Sequence, residues 1–379
     1  MSKILLIAGR TGGPIVPLLT ISQNLKRVDP VIVGVKGGYE QKIAERQKIP
    51  ILFLPEVKLR RPPTKKNPWT LLIYGLDIFG SLILLNYSIL LSLFILFRQK
   101  PKLVLSAGSF LAVPIIYAAK IYNFFFRRKI KILVHQQDPL PGLANRLTVR
   151  FANLVSYVFD YTAGVNSYFA RGIKIPNPIN LEDFKSENLM KTVLEIAETR
   201  TILHLFFRHL NPEKPLLLVF GGASGAEKIN DWLIENLTIL RSRFNILHLT
   251  GVLQKKEYQL TETSGYLSIP ELTNKEMKLA LNVSDVVLCR AGLGSISELL
   301  YLQKPAYLVP IPNSHQELNA KLVEDYFYIL NQDNQNQWVS KIFTTYPQFF
   351  DNIEYKSTES IETELVNYYT KIQHLVEKD

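Results

Sequence analysis

The chain has 379 residues, 47% hydrophobic, and a formal net charge of +11, enough for two α/β domains with large cores. Its one cysteine, Cys289, excludes an internal disulfide, and no Cys/His cluster has metal-ligand spacing, so neither disulfide framework nor structural zinc is expected. The charge is lopsided: residues 1–185 hold 26 Lys/Arg and 9 Asp/Glu, the remainder 18 and 24, so the first half is expected to meet nucleic acid, anionic lipid or a phosphorylated substrate, unless it is only a solvated charged surface.

In chain order, the start MSKILLIAG reads as a first strand, Ile4–Ala8, and not as a signal peptide, because no small-residue cleavage site follows. AGRTGGP (Ala8–Pro14) is then a glycine turn into a helix, a place where backbone N–H groups approach an anion; a plain tight turn reads the same way. Strands are expected at Val31–Val35 and Ile51–Leu54.

Next comes Leu71–Phe97, 27 strongly apolar residues flanked by Lys58, Arg60, Arg61, Lys65 and Lys66 before and Arg98, Lys100 and Lys102 after. It meets the length rule for a membrane span. Strands on either side should share one sheet, however, so a membrane-surface element is expected ahead of a core helix, and that ahead of a true span or re-entrant hairpin, with Trp69 at the interface. A second basic-aromatic stretch, FFFRRKIK (Phe124–Lys131), follows.

Further strands are expected at Leu103–Ser106, Ile132–His135 and Leu154–Phe159, with a hinge at IPNPIN (Ile175–Asn180). HQQDPLPGLANR presents His135, Gln136 and Asp138 at a strand end, where parallel sheets bind ligands; Asp138 before a proline also suits a turn. The second half repeats the theme with strands at Leu216–Gly221, Asn245–Thr250, Tyr266–Ile269, Val286–Cys289 and Ala306–Pro310. Such runs, separated by helical stretches, predict two doubly wound α/β domains. VFGGASGAEKIN carries a second glycine turn, where Ser224 adds a hydroxyl. In CRAGLGSISE a helix is expected to start near Ser295; Ser295 and Glu298 then have capping-box spacing, or Glu298 accepts from the vicinal hydroxyls of a ribose. NSHQELNAK offers side-chain amides for sugar hydroxyls, or only a polar helix start.

Together and in this order, AGRTGGPIVP, SAGSFLAVP, HQQDPLPGLANR, GGASGA, CRAGLGSISE and HQELNA resemble the motifs of the MurG family over roughly residues 3–330. These are bacterial transferases of N-acetylglucosamine (GlcNAc) from UDP-GlcNAc to an undecaprenyl-diphosphate-linked muramyl peptide. The resemblance implies two Rossmann-like doubly wound domains facing a cleft (the GT-B arrangement), no metal and no cofactor, an inverting transfer, and a peripheral position on the cytoplasmic face of the membrane. It implies an acceptor and membrane domain at 1–178, rejoined by a last helix at 355–379, and a donor domain at 179–354. The donor is assigned Gly221, Gly222 and Ser224 for its phosphates, Arg290, Gly292 and Ser295 for the nucleotide pocket, Glu298 for the ribose, and Gln316 and Asn319 for the GlcNAc hydroxyls. The acceptor diphosphate is assigned Arg10, Thr11, Gly12, Gly13, Gly108 and Ser109.

The chain departs from the family where Arg10 replaces a glycine, Pro14 a histidine, Ser109 and Phe110 a glycine and a tyrosine, Asp138 an asparagine, and Asn180 a frequent arginine. Pro14 removes one candidate base, and Asp138, then His135, are expected in its place. The alternatives are a transferase with a different polyprenyl-linked acceptor and a non-catalytic nucleotide-sugar-binding homologue. A nucleic-acid binder has charge in its favour but no recognition motif.

Overall fold

The computed structural model describes the chain apart from residues 10–11, 58–66, 127–128, 161, 163–166, 200, 223–224, 253–264, 351–354 and 378–379. It divides into two compact units, residues 1–178 with 363–379, and residues 179–362.

Unit 1 is built on a seven-stranded sheet ordered β3-β2-β1-β4-β5-β6-β7, from β1 (Ser2–Ile7), β2 (Val28–Gly34), β3 (Ile51–Phe53), β4 (Leu103–Ser106), β5 (Lys131–Gln136), β6 (Leu154–Tyr157) and β7 (Ile173–Lys174). Every pairing is parallel. Leu103–Ser106 is buried at all four positions, because helices cover both faces of the sheet. Unit 2 has a six-stranded sheet ordered β10-β9-β8-β11-β12-β13, from β8 (Leu216–Phe220), β9 (Asn245–Leu249), β10 (Tyr266–Ile269), β11 (Val286–Cys289), β12 (Ala306–Leu308) and β13 (Tyr328–Ile329), also wholly parallel. Each sheet reverses its winding once, between β1 and β4 and between β8 and β11. Loops leaving the carboxyl ends of those strands flank the crevice where such sheets bind ligands.

Every expected strand is present within a few residues of its expected ends. Two more are added, Ile173–Lys174 and Tyr328–Ile329. At two residues each, neither shows any periodicity.

After helices α1 (Gly12–Gln23) and α2 (Tyr39–Gln47), the apolar segment forms helix α3, Pro68–Gln99. It is not a core helix. In the most apolar 18-residue window of Leu71–Gln99 the mean hydropathy is 2.2 and only 11% of the residues are buried. Its polarity is inverted: Ser88, Ser92 and Leu96, four residues apart, are fully buried, while Phe79, Leu90 and Phe94 are at least 60% exposed. The serines fit there by size, and Ser92 Oγ bonds back into the helix, donating to the Ser88 carbonyl at 2.6 Å, while Ser88 Oγ has no partner among the described residues. Between Trp69 and Tyr87 no described residue is fully buried, so this part of the helix, about 30 Å long, adds nothing to the hydrophobic core of unit 1. Since α3 follows β3 and leads into β4, this end stands at the carboxyl edge of the sheet.

Candidate active site

In unit 1 the crevice is formed by the loops after β1 and β4. They touch: a Cβ on Gly9 would lie 2.7 Å from Ser109 Oγ, so the loop after β1 needs glycine there. Arg10 and Thr11 lie outside the described residues. Gly12 opens helix α1 (Gly12–Gln23) and Gly13 follows it, with Pro14 in the first turn, where its missing N–H has no intrahelical partner to lose. Gly108 adopts a φ of +104°, open to glycine at no steric cost. Ser109 Oγ accepts from the Leu111 N–H at 3.2 Å in the turn ahead of helix α4 (Ala112–Phe125), which has no side-chain cap of its own.

The loop after β5 is laced to its surroundings by amides. Asn145 Nδ2 donates to Gln136 Oε1 at 2.5 Å and to the His135 carbonyl at 3.3 Å. Gln136 Nε2 donates to the Asp138 carbonyl at 2.6 Å. Thr162 Oγ1 donates to the Pro139 carbonyl at 2.9 Å. These contacts hold Asp138 half-buried at the rim, with a carboxylate that makes no hydrogen bond to the described residues.

His135 does not share that position. It is fully buried, with Nδ1 3.0 Å from Ser156 Oγ and Nε2 3.4 Å from Asn177 Oδ1. Burial lowers its pKa to about 4. A ring with both nitrogens engaged and no surface cannot meet an acceptor hydroxyl, so the geometry makes His135 a structural residue, a correction to its place as second candidate base. Asn145, the brace that positions Asp138, was not singled out from sequence; its spacing from Gln136 across a proline-glycine loop was the available signal.

In unit 2 the loop after β8 needs its glycines. A Cβ on Gly221 would fall 2.2 Å from that of Ala226, and Gly222 and Gly225 have φ of +90° and +83°. The Gly225 N–H donates to the Gly222 carbonyl at 2.9 Å. Ser224 lies outside the described residues. Helix Glu227–Glu235 then begins at Ala226 with no side-chain cap.

Across the crevice, β11 ends at Cys289, a fully buried thiol whose pKa burial pushes up, with a further push from the Glu298 charge. It is a packing residue. Arg290 Nη1 donates to the Val309 carbonyl at 3.2 Å, and burial lowers its pKa. Helix Leu293–Tyr301 starts at Gly292, again with no side-chain cap, so its first N–H groups face outward with the positive end of the helix dipole.

The capping-box alternative for Ser295 and Glu298 is thereby overturned. Ser295 lies inside the first turn, and Glu298 Oε1 accepts from Lys278 Nζ instead. The true capping box is Thr273 with Glu276, at the start of helix Asn274–Val283. Gln316, half-buried in helix His315–Lys321, holds the Ile311 N–H with its Oε1 at 3.3 Å. Asn319 is fully buried; its Nδ2 donates to the Ala291 carbonyl at 3.2 Å, and its Oδ1 has no partner among the described residues.

Glycine turns at both switch points and uncapped helix starts suit a ligand rich in phosphate. Residues 4–156 match the glycosyltransferase family 28 N-terminal domain, and residues 216–374 its C-terminal domain. The fold and these matches define a glycosyltransferase. A UDP-N-acetylglucosamine--N-acetylmuramyl-(pentapeptide) pyrophosphoryl-undecaprenol N-acetylglucosamine transferase of Clostridium kluyveri is 30% identical over 88% of either chain. Its namesake from Clostridium botulinum strain Kyoto is 28% identical over 98% of this chain and all of its own. The crystal structure of Acinetobacter baumannii MurG matches over the full length of both chains with a TM-score of 0.68 at 19% identity, a likeness of fold. The chain belongs to the MurG family.

Proposed function

We propose that the chain transfers GlcNAc from UDP-GlcNAc to an undecaprenyl-diphosphate-linked N-acetylmuramyl peptide at the cytoplasmic face of the membrane. The observation that carries this reading is the likeness to the named transferases over nearly the whole chain.

In this reading unit 2 takes the donor. The Gly221–Gly222 turn and Ser224 take its phosphates, Gly292, Ser295 and the following helix start neutralise the leaving diphosphate, Arg290 supports the nucleotide, Glu298 takes the ribose and Gln316 a sugar hydroxyl. Dipoles and N–H groups aimed at the departing charge do here what a metal does elsewhere, so the transfer is metal-independent. Unit 1 takes the acceptor, with its diphosphate on Arg10, Thr11, Gly12, Gly13, Gly108 and Ser109. Asp138 receives the proton of the attacking hydroxyl, which enters opposite the leaving UDP and inverts the anomeric centre.

The outward apolar face of α3, with its flanking Lys/Arg, supports attachment to an anionic lipid surface. A single crossing is disfavoured. Residues 54–67, with five Lys/Arg, would have to recross the hydrocarbon to return the chain to the sheet that holds both β3 and β4, at roughly 2.5–3.5 kcal/mol for each charge.

Labelled UDP-GlcNAc and the muramyl-peptide lipid in detergent should yield a lipid-linked disaccharide and UDP. Tight UDP-GlcNAc binding with no transfer to any lipid would sink the reading. The departures at Arg10, Pro14, Ser109 and Phe110 favour a second reading, another polyprenyl-linked acceptor, which predicts UDP release only with that lipid.

A further inference from the structure

We propose that Lys278 is a positioning residue for the donor nucleotide, holding the Glu298 carboxylate so that one oxygen stays directed to the ribose hydroxyls of a nucleoside diphosphate. The inference rests on the reading of Glu298 as the ribose ligand.

Lys278 is only 7% exposed. Lysines are almost never so buried without a partner, because the ammonium gives up its hydration. Its partner is Glu298 Oε1, and the side chains of the pair are 8% and 17% exposed. Nζ also lies 5.3 Å from the centre of the Phe184 ring, which adds a cation–π contact and closes that side to water. Phe184 is itself fixed: its ring packs 5.3 Å from that of Tyr301, whose hydroxyl donates to Glu362 at 2.7 Å. The ammonium is therefore seated among fixed groups, on a helix whose start the Thr273–Glu276 capping box defines.

Among the described residues Glu298 Oε2 makes no hydrogen bond, and the Glu298 side chain retains more exposure than that of Lys278. A free glutamate on a helix surface samples several rotamers and would lose them on binding. Here the ion pair has already selected one, so the entropy is lost on folding and not on binding. The second oxygen is left as a charged acceptor, which bonds hydroxyls more strongly than a neutral one does.

The test uses the full-length protein in detergent and calorimetric titration with UDP and with 2′,3′-dideoxy-UDP. The preference for UDP measures the ribose contact alone. Lys278→Met should lower that preference by about tenfold, the worth of a hydrogen bond to a charged group. It should raise KM for the sugar nucleotide with kcat nearly unchanged, as loss of uniform binding does. Lys278→Arg should restore most of the preference, and Lys278→Gln serves where the methionine variant fails to fold. Adding Lys278→Met to Glu298→Gln should cost nothing further. A methionine variant that keeps the full preference, whatever its Tm, overturns the proposal. Glu298→Gln separates the two levels: if it loses the preference while Lys278→Met keeps it, only the role of Lys278 falls; if it keeps the preference, the ribose reading falls as well.

Discussion

Asp138 and His135 stand three residues apart, yet the fold separates them completely. Both faces of β5 are covered, so His135 is sealed inside, whereas Asp138 lies past the strand end, where the Gln136–Asn145 amides hold its loop. Asp138→Asn should lower kcat by roughly 10²–10⁴-fold and leave KM for UDP-GlcNAc unchanged; full turnover in steady-state assays would remove it as the base. His135 predicts a different behaviour. Its folded pKa of about 4 lies below the ordinary histidine value of 6.5, so the unfolded chain binds the extra proton first. Its contribution is complete above pH 6.5 and is lost as pH falls toward 4, by up to about 3 kcal/mol. Thermal unfolding followed across that window should show the loss, and His135→Asn should reduce it, leaving the share of His248, whose burial lowers its pKa to about 3. At this scale the sequence could point to the motif but not to the side-chain direction, because the partner that decides it, Ser156, binds Tyr368 from 212 residues away.

Among the elements, the long buried strands were legible because a parallel strand covered on both faces is a continuous apolar run. Local spacing misled where a helix start is decided by the turn before it. S-x-x-E at Ser295 looked like a capping box, but the loop out of β11 starts the helix two residues earlier, at Leu293. For α3 the composition announced a lipid-seeking segment, yet only the fold shows its inversion, with Ser88 and Ser92 inward and a band of Leu, Ile and Phe outward. Leu76, Phe79 and Ile83, each more than half exposed, touch none of the candidate site. Changing all three to serine should cost about 5 kcal/mol of membrane affinity. Flotation with anionic vesicles should then recover little of the protein, while UDP binding in detergent stays as it was. Flotation equal to the parent chain would show that this face does not carry the attachment.

At the scale of the whole molecule, unit 1 is discontinuous. Helix Thr358–Glu377 begins in unit 2 and ends in unit 1. There Leu365, Tyr368, Ile372 and Val376 are at most 2% exposed, the Tyr368 hydroxyl lies 2.8 Å from Ser156 Oγ, and Gln373 Oε1 accepts from the Lys26 N–H at 2.8 Å. Removing residues 363–379 should therefore raise hydrogen exchange in β6 and at the end of α1, far from the cut in sequence, and leave the exchange of β8 and β11 as before. Uniform deprotection of both sheets would contradict that division.

The same discontinuity sets an order of events during synthesis. Unit 2 is one unbroken stretch and can close as soon as residue 362 has left the ribosome. Unit 1, although translated first, lacks Tyr368 and its neighbours until residues 363–379 have been made. At cellular elongation rates its sheet waits roughly 10–40 s for that last helix. For that interval the nascent chain carries the exposed apolar helix α3 on a half whose packing is unfinished, so α3 is open to any apolar surface, a chaperone's included, before that half is closed.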